Sequence, residues 1–330
     1  MNALTMDAVK KSAGWLVEDY DAVSRELSLR VGSQVETVDA LSRHILDGGG
    51  KRLRPLLTCL WARAVGAVDL RRAHLLGAAL EMIHMATLIH DDVIDQASTR
   101  RGRACASAIW GNTAAILCGD VLLAKAMAIL GEDGDLEVIR LVSRMVVEMA
   151  EGEVKEVEVR GDFDLSLDQH FGVLRAKTAS FIGCCCEVGA IVGGGDGAER
   201  AAAVEFGMEL GMAFQLADDV LDYAGRQETT GKPRASDYRE GQATLPLLLL
   251  REKSSSKRRE LLKAKFGNGV TETEVEQISG WMAASGVFED ALQIADSHVS
   301  NAVLALNVLK PSKAKELLEV MARFSIERSS

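Results

Sequence analysis

The sequence predicts an all-α protein, a single-domain helical bundle of about a dozen helices over residues 1–330. Three observations carry this. The 330 residues are 48% hydrophobic yet hold only four prolines and 5% aromatics, an Ala/Leu/Val/Glu/Arg-rich mix that favours helices over strands. Apolar residues recur at helical period along most of the chain, and no stretch alternates as a half-buried strand would. Glycine clusters separate the segments and no low-complexity linker divides them, so one large core is expected.

Bulk properties narrow the function. A net charge of −10 argues against binding nucleic acid through a broad basic surface. No run of 18 or more uncharged apolar residues occurs, so no transmembrane segment is expected. The first residues (Asp7, Lys10, Lys11, Glu18, Asp19) are acidic and amphipathic, unlike a signal or transit peptide, which points to a cytoplasmic protein. Cys184, Cys185 and Cys186 are consecutive, so on a helix they point about 100° apart and do not share a tetrahedral metal. With Cys59, Cys105 and Cys118 isolated, all six read as small buried hydrophobes in a reducing compartment.

Taken in order, residues from about 5 to 46 carry two helices. Val9, Leu16 and Val17, then Val35, Val38, Leu41 and Ile45, recur at helical spacing among charges. Gly48-Gly49-Gly50 stops the second, and Lys51-Arg52-Leu53-Arg54-Pro55 leads into a helix that runs to about Val65, proline suiting a first helical turn. A glycine triplet followed by cations at a helix start suits an anion, because amides, dipole and side chains act together. A plain inter-helix turn with solvated basic residues fits the same pattern. From Ala73 to about Ile94 one helix is apolar almost all round, as a central bundle helix is. His84 lies on that apolar face, where a histidine is ordinarily a satisfied core residue.

Thr99-Arg100-Arg101-Gly102-Arg103 then forms a loop. Helices follow from about Ala114 to Leu130 and from Leu136 to about Val159. The glutamates of the second (Glu148, Glu151, Glu153, Glu156, Glu158) read mainly as a solvated face. Ser166 is a candidate N-cap. Lys177-Thr178 interrupts an apolar run that continues to Val192, which is costly unless the pair faces a cavity or a partner. Gly193-Gly194-Gly195-Asp196-Gly197 breaks the chain before a helix from about Glu199. Gly231-Lys232-Pro233 and Asp237 to Pro246 form a loop, and Leu247 begins another helix. Residues from about 257 to 328 hold three shorter helices, punctuated by Gly267, Gly269 and Pro311.

Two of these helices end alike. The segments starting at His84 and Gly211 lie 127 positions apart and agree at seven of fourteen offsets. Each finishes in Asp-Asp-x-x-Asp, as Asp91-Asp92-Val93-Ile94-Asp95 and Asp218-Asp219-Val220-Leu221-Asp222. A soluble core gains nothing from six clustered carboxylates unless something cationic lies between them. Asp91 and Asp95 are one turn apart, roughly 6 Å along the axis, on a stripe with His84 and Leu88. Gln215, Asp218 and Asp222 share another stripe. Such oxygen ligands suit magnesium bound jointly by carboxylates and a substrate phosphate. The arginines at 100, 101 and 103 match diphosphate oxygens, or merely neutralise the carboxylates.

With these pieces in place, the chain resembles the trans-isoprenyl diphosphate synthases (polyprenyl synthetases) along essentially its whole length. The matching motifs, in order, are Gly49-Gly-Lys-Arg-Leu-Arg54-Pro, Glu81-Met-Ile-His84, the first acidic triplet, Arg100-Arg101-Gly, Lys177-Thr178, Phe214-Gln215 with the second triplet, Gly231-Lys232 and Thr244-Leu-Pro246. The resemblance implies an isoprenoid-synthase bundle around a deep central cavity, with both acidic tips at its mouth and usually a homodimer. It implies head-to-tail transfer of a prenyl group between an allylic diphosphate and isopentenyl diphosphate. On it, Asp91, Asp95 and Asp218 hold three magnesium ions on the allylic diphosphate, and Asp222 assists from behind them. Arg100, Lys177 and Lys232 bind that diphosphate. Lys51, Arg54, His84 and Arg101 bind isopentenyl diphosphate, and Thr178 and Gln215 point dipoles at the allylic cation. Two positions depart from the family pattern. Gly241-Gln242 stands where Gly-Lys is frequent, which removes a cation from the allylic site, and Glu156 stands where a Gln is common.

On the same resemblance, the fourth and fifth residues before the first triplet form a floor to the chain pocket. Here they are Thr87 and Ala86, both small. Thr87 lies close to the Asp91 stripe, and Ala86 lies to one side. A long product of about C30 or more is expected, C40-like quinone side chains foremost, with geranylgeranyl as the shorter alternative. Rival readings fit less well. A class I terpene cyclase carries an Asn/Ser/Glu-type second metal motif. A helical phosphohydrolase using His84, His90-Asp91 and Asp120 leaves the repeat unexplained. A non-catalytic subunit of a heteromeric synthase tends to lose the acidic motifs that are intact here.

Overall fold

The bundle is built around the two helices that end in the acidic triplets. The computed structural model describes residues 14–100, 102–225 and 234–326, and in chain order it is helical almost throughout. α1 (Gly14–Arg30), α2 (Glu36–Asp47), α3 (Leu53–Ala64) and α4 (Arg71–Ile94) lead to a hairpin of β1 (Thr99–Arg100) and β2 (Arg103–Ala104). α5 (Ala106–Trp110), α6 (Asn112–Asp133), α7 (Leu136–Val159) and α8 (Leu167–Leu174) follow, and then a π-helical turn (Arg175–Ala179). α9 (Ser180–Val192) and α10 (Gly197–Ala224) complete the centre. α11 (Ser236–Glu240), α12 (Leu245–Glu252), α13 (Ser256–Lys265), α14 (Glu272–Ala284), α15 (Val287–Ala305) and α16 (Lys313–Arg323) close the bundle.

Local chemistry sets several of these boundaries. Ser166 caps α8 as its sequence suggests, in a reciprocal box with Gln169. Asp196 with Glu199, and Thr271 with Glu274, start α10 and α14 in the same way, each box satisfying amides that a helix start leaves orphaned. α4 is buried on nearly every face from Ala73 to Ile89 and lies against α1, α3, α6 and α9. α10 lies against α9, α15 and the π turn. All six cysteines are buried and free, and burial pushes the Cys185 thiol up to about 12, consistent with inert core residues.

Three features differ from expectation. The 99–103 loop is a hairpin, with Thr99 opposite Ala104 and Arg100 opposite Arg103. The C-terminal region holds four helices where three were expected, because Ser285-Gly286 breaks the chain between α14 and α15 with Gly286 at φ 66°. α6 has a mean hydropathy of 1.9 and is 39% buried over its most apolar window, so length and composition alone would let it cross a membrane. A search for uncharged runs passes over it because Asp120 and Lys125 interrupt it.

Candidate active site

A cavity of about 1060 Å³ opens between the ends of α4 and α10, at the upper end for small-molecule sites. Asp91, Arg100, Lys177 and Asp218 line its polar end; Ile83, Ala86, Leu123, Val146 and Met149 line its apolar part. Ile83 precedes Asp91 by eight residues, so the apolar part reaches about 12 Å down α4. Lys51, Arg54, His84, Thr87, Thr178 and Gln215 face the same space. Ala86, placed to one side by helical geometry alone, also lines it, at 2% exposure. Arg101 and Lys232 lie outside the described residues.

Each acidic triplet divides its labour. The middle carboxylates turn inward: Asp92 is 2% exposed and accepts from Arg100 Nε at 2.7 Å. Asp219 is bonded to His170 Nε2 at 3.0 Å and lies 3.4 Å from the Leu245 amide that opens α12. The outer residues are held differently again. Asp95 caps α4 and accepts from Arg160 Nη2 at 3.2 Å. Asp222 accepts from the Ser236 and Asp237 amides at 3.0 and 3.1 Å and from the Ser236 hydroxyl, so it anchors α11. That leaves Asp91 and Asp218 on the cavity wall. Burial pushes the Asp91 carboxyl up to about 7; Lys177 and Arg100 pull it down, and Glu153 and Asp95 add to the rise.

Lys177 and Thr178 reach the cavity because the helix widens into a π turn at that point, a distortion that often marks function. Two glycines make room for it. A Cβ on Gly152 of α7 would come 2.8 Å from Ala176 Cβ, and one on Gly211 of α10 would come 2.6 Å from Ala179 Cα. Gly211→Ala is expected to destabilise the fold by about 1–3 kcal/mol through overpacking and to lower turnover further by shifting Lys177-Thr178. Thermal melts and steady-state rates check this; a variant with wild-type rate and melting temperature contradicts it. Lys177 Nζ is ion-paired with Glu153 at 2.8 Å and with Glu156. Burial alone would depress its pKa, but the two carboxylates hold it above the ordinary value. These two glutamates therefore belong to the site, whereas Glu148, Glu151 and Glu158 form the exposed face.

The glycine-triplet segment sorts its cations. Arg52, at φ 49°, turns into the protein and donates to Glu81 at 2.8 Å and to the Leu46 carbonyl at 3.0 Å. Lys51 and Arg54 border the cavity, and the Arg54 guanidinium lies 4.7 Å from the Phe181 ring centre, where burial lowers its pKa. Sequence reasoning missed Arg52–Glu81 and His170–Asp219 as structural pairs.

The polar end suits a divalent cation shared with an anion. Both triplets sit at helix C-termini, where the dipole already disfavours negative charge, and burial separately raises the Asp91 carboxyl. Among the described residues no three His, Cys, Asp or Glu side chains converge into a cage of their own.

A profile of the polyprenyl synthetase family matches residues 35–282. The chain belongs to that family. A polyprenyl synthase from Caulobacter crescentus, solved with calcium and isoprenyl diphosphate, superposes with a TM-score of 0.92 at 37% identity, covering 98% of both chains. Octaprenyl diphosphate synthase of Escherichia coli is 34% identical over 94% of this chain and 96% of its own. A short chain isoprenyl diphosphate synthase of Methanothermobacter thermautotrophicus is 37% identical over 89% and 91% respectively. Family members of both product classes are thus similarly near, and product length rests on the cavity.

Proposed function

We propose that this chain is an all-trans polyprenyl diphosphate synthase that extends an allylic diphosphate with isopentenyl diphosphate to about C30 or longer. The observation that carries this reading is one cavity with Asp91, Asp218, Lys177 and Arg100 at its polar end and small Ala86 and Thr87 in its apolar part. Asp91, Asp95 and Asp218 would hold magnesium, three ions with the allylic diphosphate, and Asp222 would brace the second tip. When bound, the metal supplies charge stabilisation to the departing diphosphate.

Lys177 and Arg100, with Lys232, take the allylic diphosphate oxygens. Thr178 and Gln215 turn their dipoles toward the cation that ionisation leaves. Lys51, Arg54, His84 and Arg101 hold isopentenyl diphosphate so that its double bond, and not water, meets that cation in a dry apolar space. No protein base is required at the last step, because the departed diphosphate can take the proton.

Incubation with magnesium, labelled isopentenyl diphosphate and farnesyl diphosphate tests the reading. A labelled, longer polyprenyl diphosphate supports it; release of inorganic phosphate without elongation contradicts it. A homodimer is part of the same proposal, since α6 leaves Ile116 and Leu117 42% and 57% exposed. Light scattering should give about twice the 35.5 kDa of one chain, and a monomer mass would count against it. A cytoplasmic setting suits the six free thiols.

A further inference from the structure

Arg160 follows the last turn of α7 and links the two acidic tips. Its Nη2 donates to Asp95 of the first tip at 3.2 Å. On the next residue, the Gly161 amide donates to the Gly241 carbonyl at 2.7 Å. Both glycines have positive φ, 86° and 75°, and a Cβ on Gly241 would come 3.4 Å from Gly161, so the two backbones touch. The segment holding Gly241 begins at Ser236 and Asp237, which Asp222 of the second tip holds. Only part of the Arg160 fork is used. Its Nε is buried without a hydrogen-bond partner, a costly state for a donor, while the side chain is still 30% exposed.

Arg100 and Lys177, which the synthase reading also assigns to this diphosphate, rest on carboxylates as Arg160 does: Arg100 on Asp92, and Lys177 on Glu153 and Glu156. Gln242, one residue beyond the Gly161–Gly241 bond, brings no charge. The exposed end of the guanidinium, whose Nη2 faces Asp95 of the first tip, has the fork geometry that phosphate oxygens match. We infer that Arg160 is a further diphosphate-binding residue of the allylic site, exchanging Asp95 for diphosphate oxygens as substrate arrives. This rests on the synthase reading above.

The test uses the full chain at saturating magnesium. It measures KM for farnesyl and isopentenyl diphosphates, and the Kd of inorganic pyrophosphate by calorimetry. Arg160→Met should raise the farnesyl diphosphate KM and the pyrophosphate Kd about tenfold, with the isopentenyl diphosphate KM unchanged. Arg160→Lys, which keeps charge but loses the fork, should fall between, and adding Gln242→Lys to Arg160→Met should recover most of the loss. Unchanged values in Arg160→Met overturn the inference, as does an equal rise for both substrates. If Arg160→Met does not fold, wild-type Kd in Arg160→Lys together with no gain in Gln242→Lys overturns it. A residue that only steadied Asp95 would change the magnesium requirement and not these constants. Because the pyrophosphate titration needs no turnover, a failure to elongate chains would sink the synthase reading separately.

Discussion

In the Ala86→Phe variant the product shifts to about C20 or shorter while turnover persists. Ala86 lies five residues before Asp91, roughly 7.5 Å down the axis of α4, and lines the cavity shared with Leu123, Val146 and Met149. A phenyl ring there projects into the space where the chain would extend. Overpacking ordinarily costs about 1–3 kcal/mol, and open space beside the site keeps the cost toward the lower end. On the proposed mechanism ionisation and condensation take place at Asp91, Lys177 and Thr178, above the ring, so the early additions should proceed. Chromatography of the dephosphorylated products reads the outcome. A folded variant with an unchanged product distribution would show that Ala86 is not the floor.

Asp91→Asn should cost at least about 100-fold in turnover, the scale of losing one group that stabilises developing charge. The same variant should be more stable than wild type in metal-free buffer at pH 8. The sign follows from burial, which raises the Asp91 carboxyl from 3.8 to about 7 in the folded state. Between those values the folded chain holds a proton that the unfolded chain has released, so stability falls as pH rises through the window. Above about pH 7 the penalty is complete, and an amide removes it. Melting temperatures should therefore diverge by about 2 °C or more at pH 8 and converge below pH 4. Equal melting temperatures at pH 8, or wild-type turnover, would contradict the assignment of Asp91 as a buried, metal-seeking carboxylate.

The parts of the site that lie along one helix are legible in the amino-acid sequence. Helical period places His84, Leu88 and Asp91 on one stripe and Gln215 with Asp218 on another, and all five line the cavity. An apolar run broken by Lys177-Thr178 likewise announces a cavity. Contacts between helices are not legible in this way. The Arg52–Glu81 pair spans 29 residues, His170–Asp219 spans 49 and Arg160–Asp95 spans 65, and no local periodicity encodes such pairs. The π turn has no local signal either, because Gly152 and Gly211 acquire meaning only when Ala176 and Ala179 are beside them. Glu153 and Glu156 read as part of a solvated face by spacing alone; the Lys177 ammonium paired with both, and Glu153 on the cavity wall, assign them to the site.

The synthase mechanism turns on a cavity that lets the chain grow past Ala86 and Thr87. Mass spectrometry of the wild-type product made from farnesyl and isopentenyl diphosphates measures this directly. A polyprenyl diphosphate of about C30 or more is the predicted result. A product that stops at C20 would contradict it, leaving a prenyl synthase whose pocket closes where the structure shows open space.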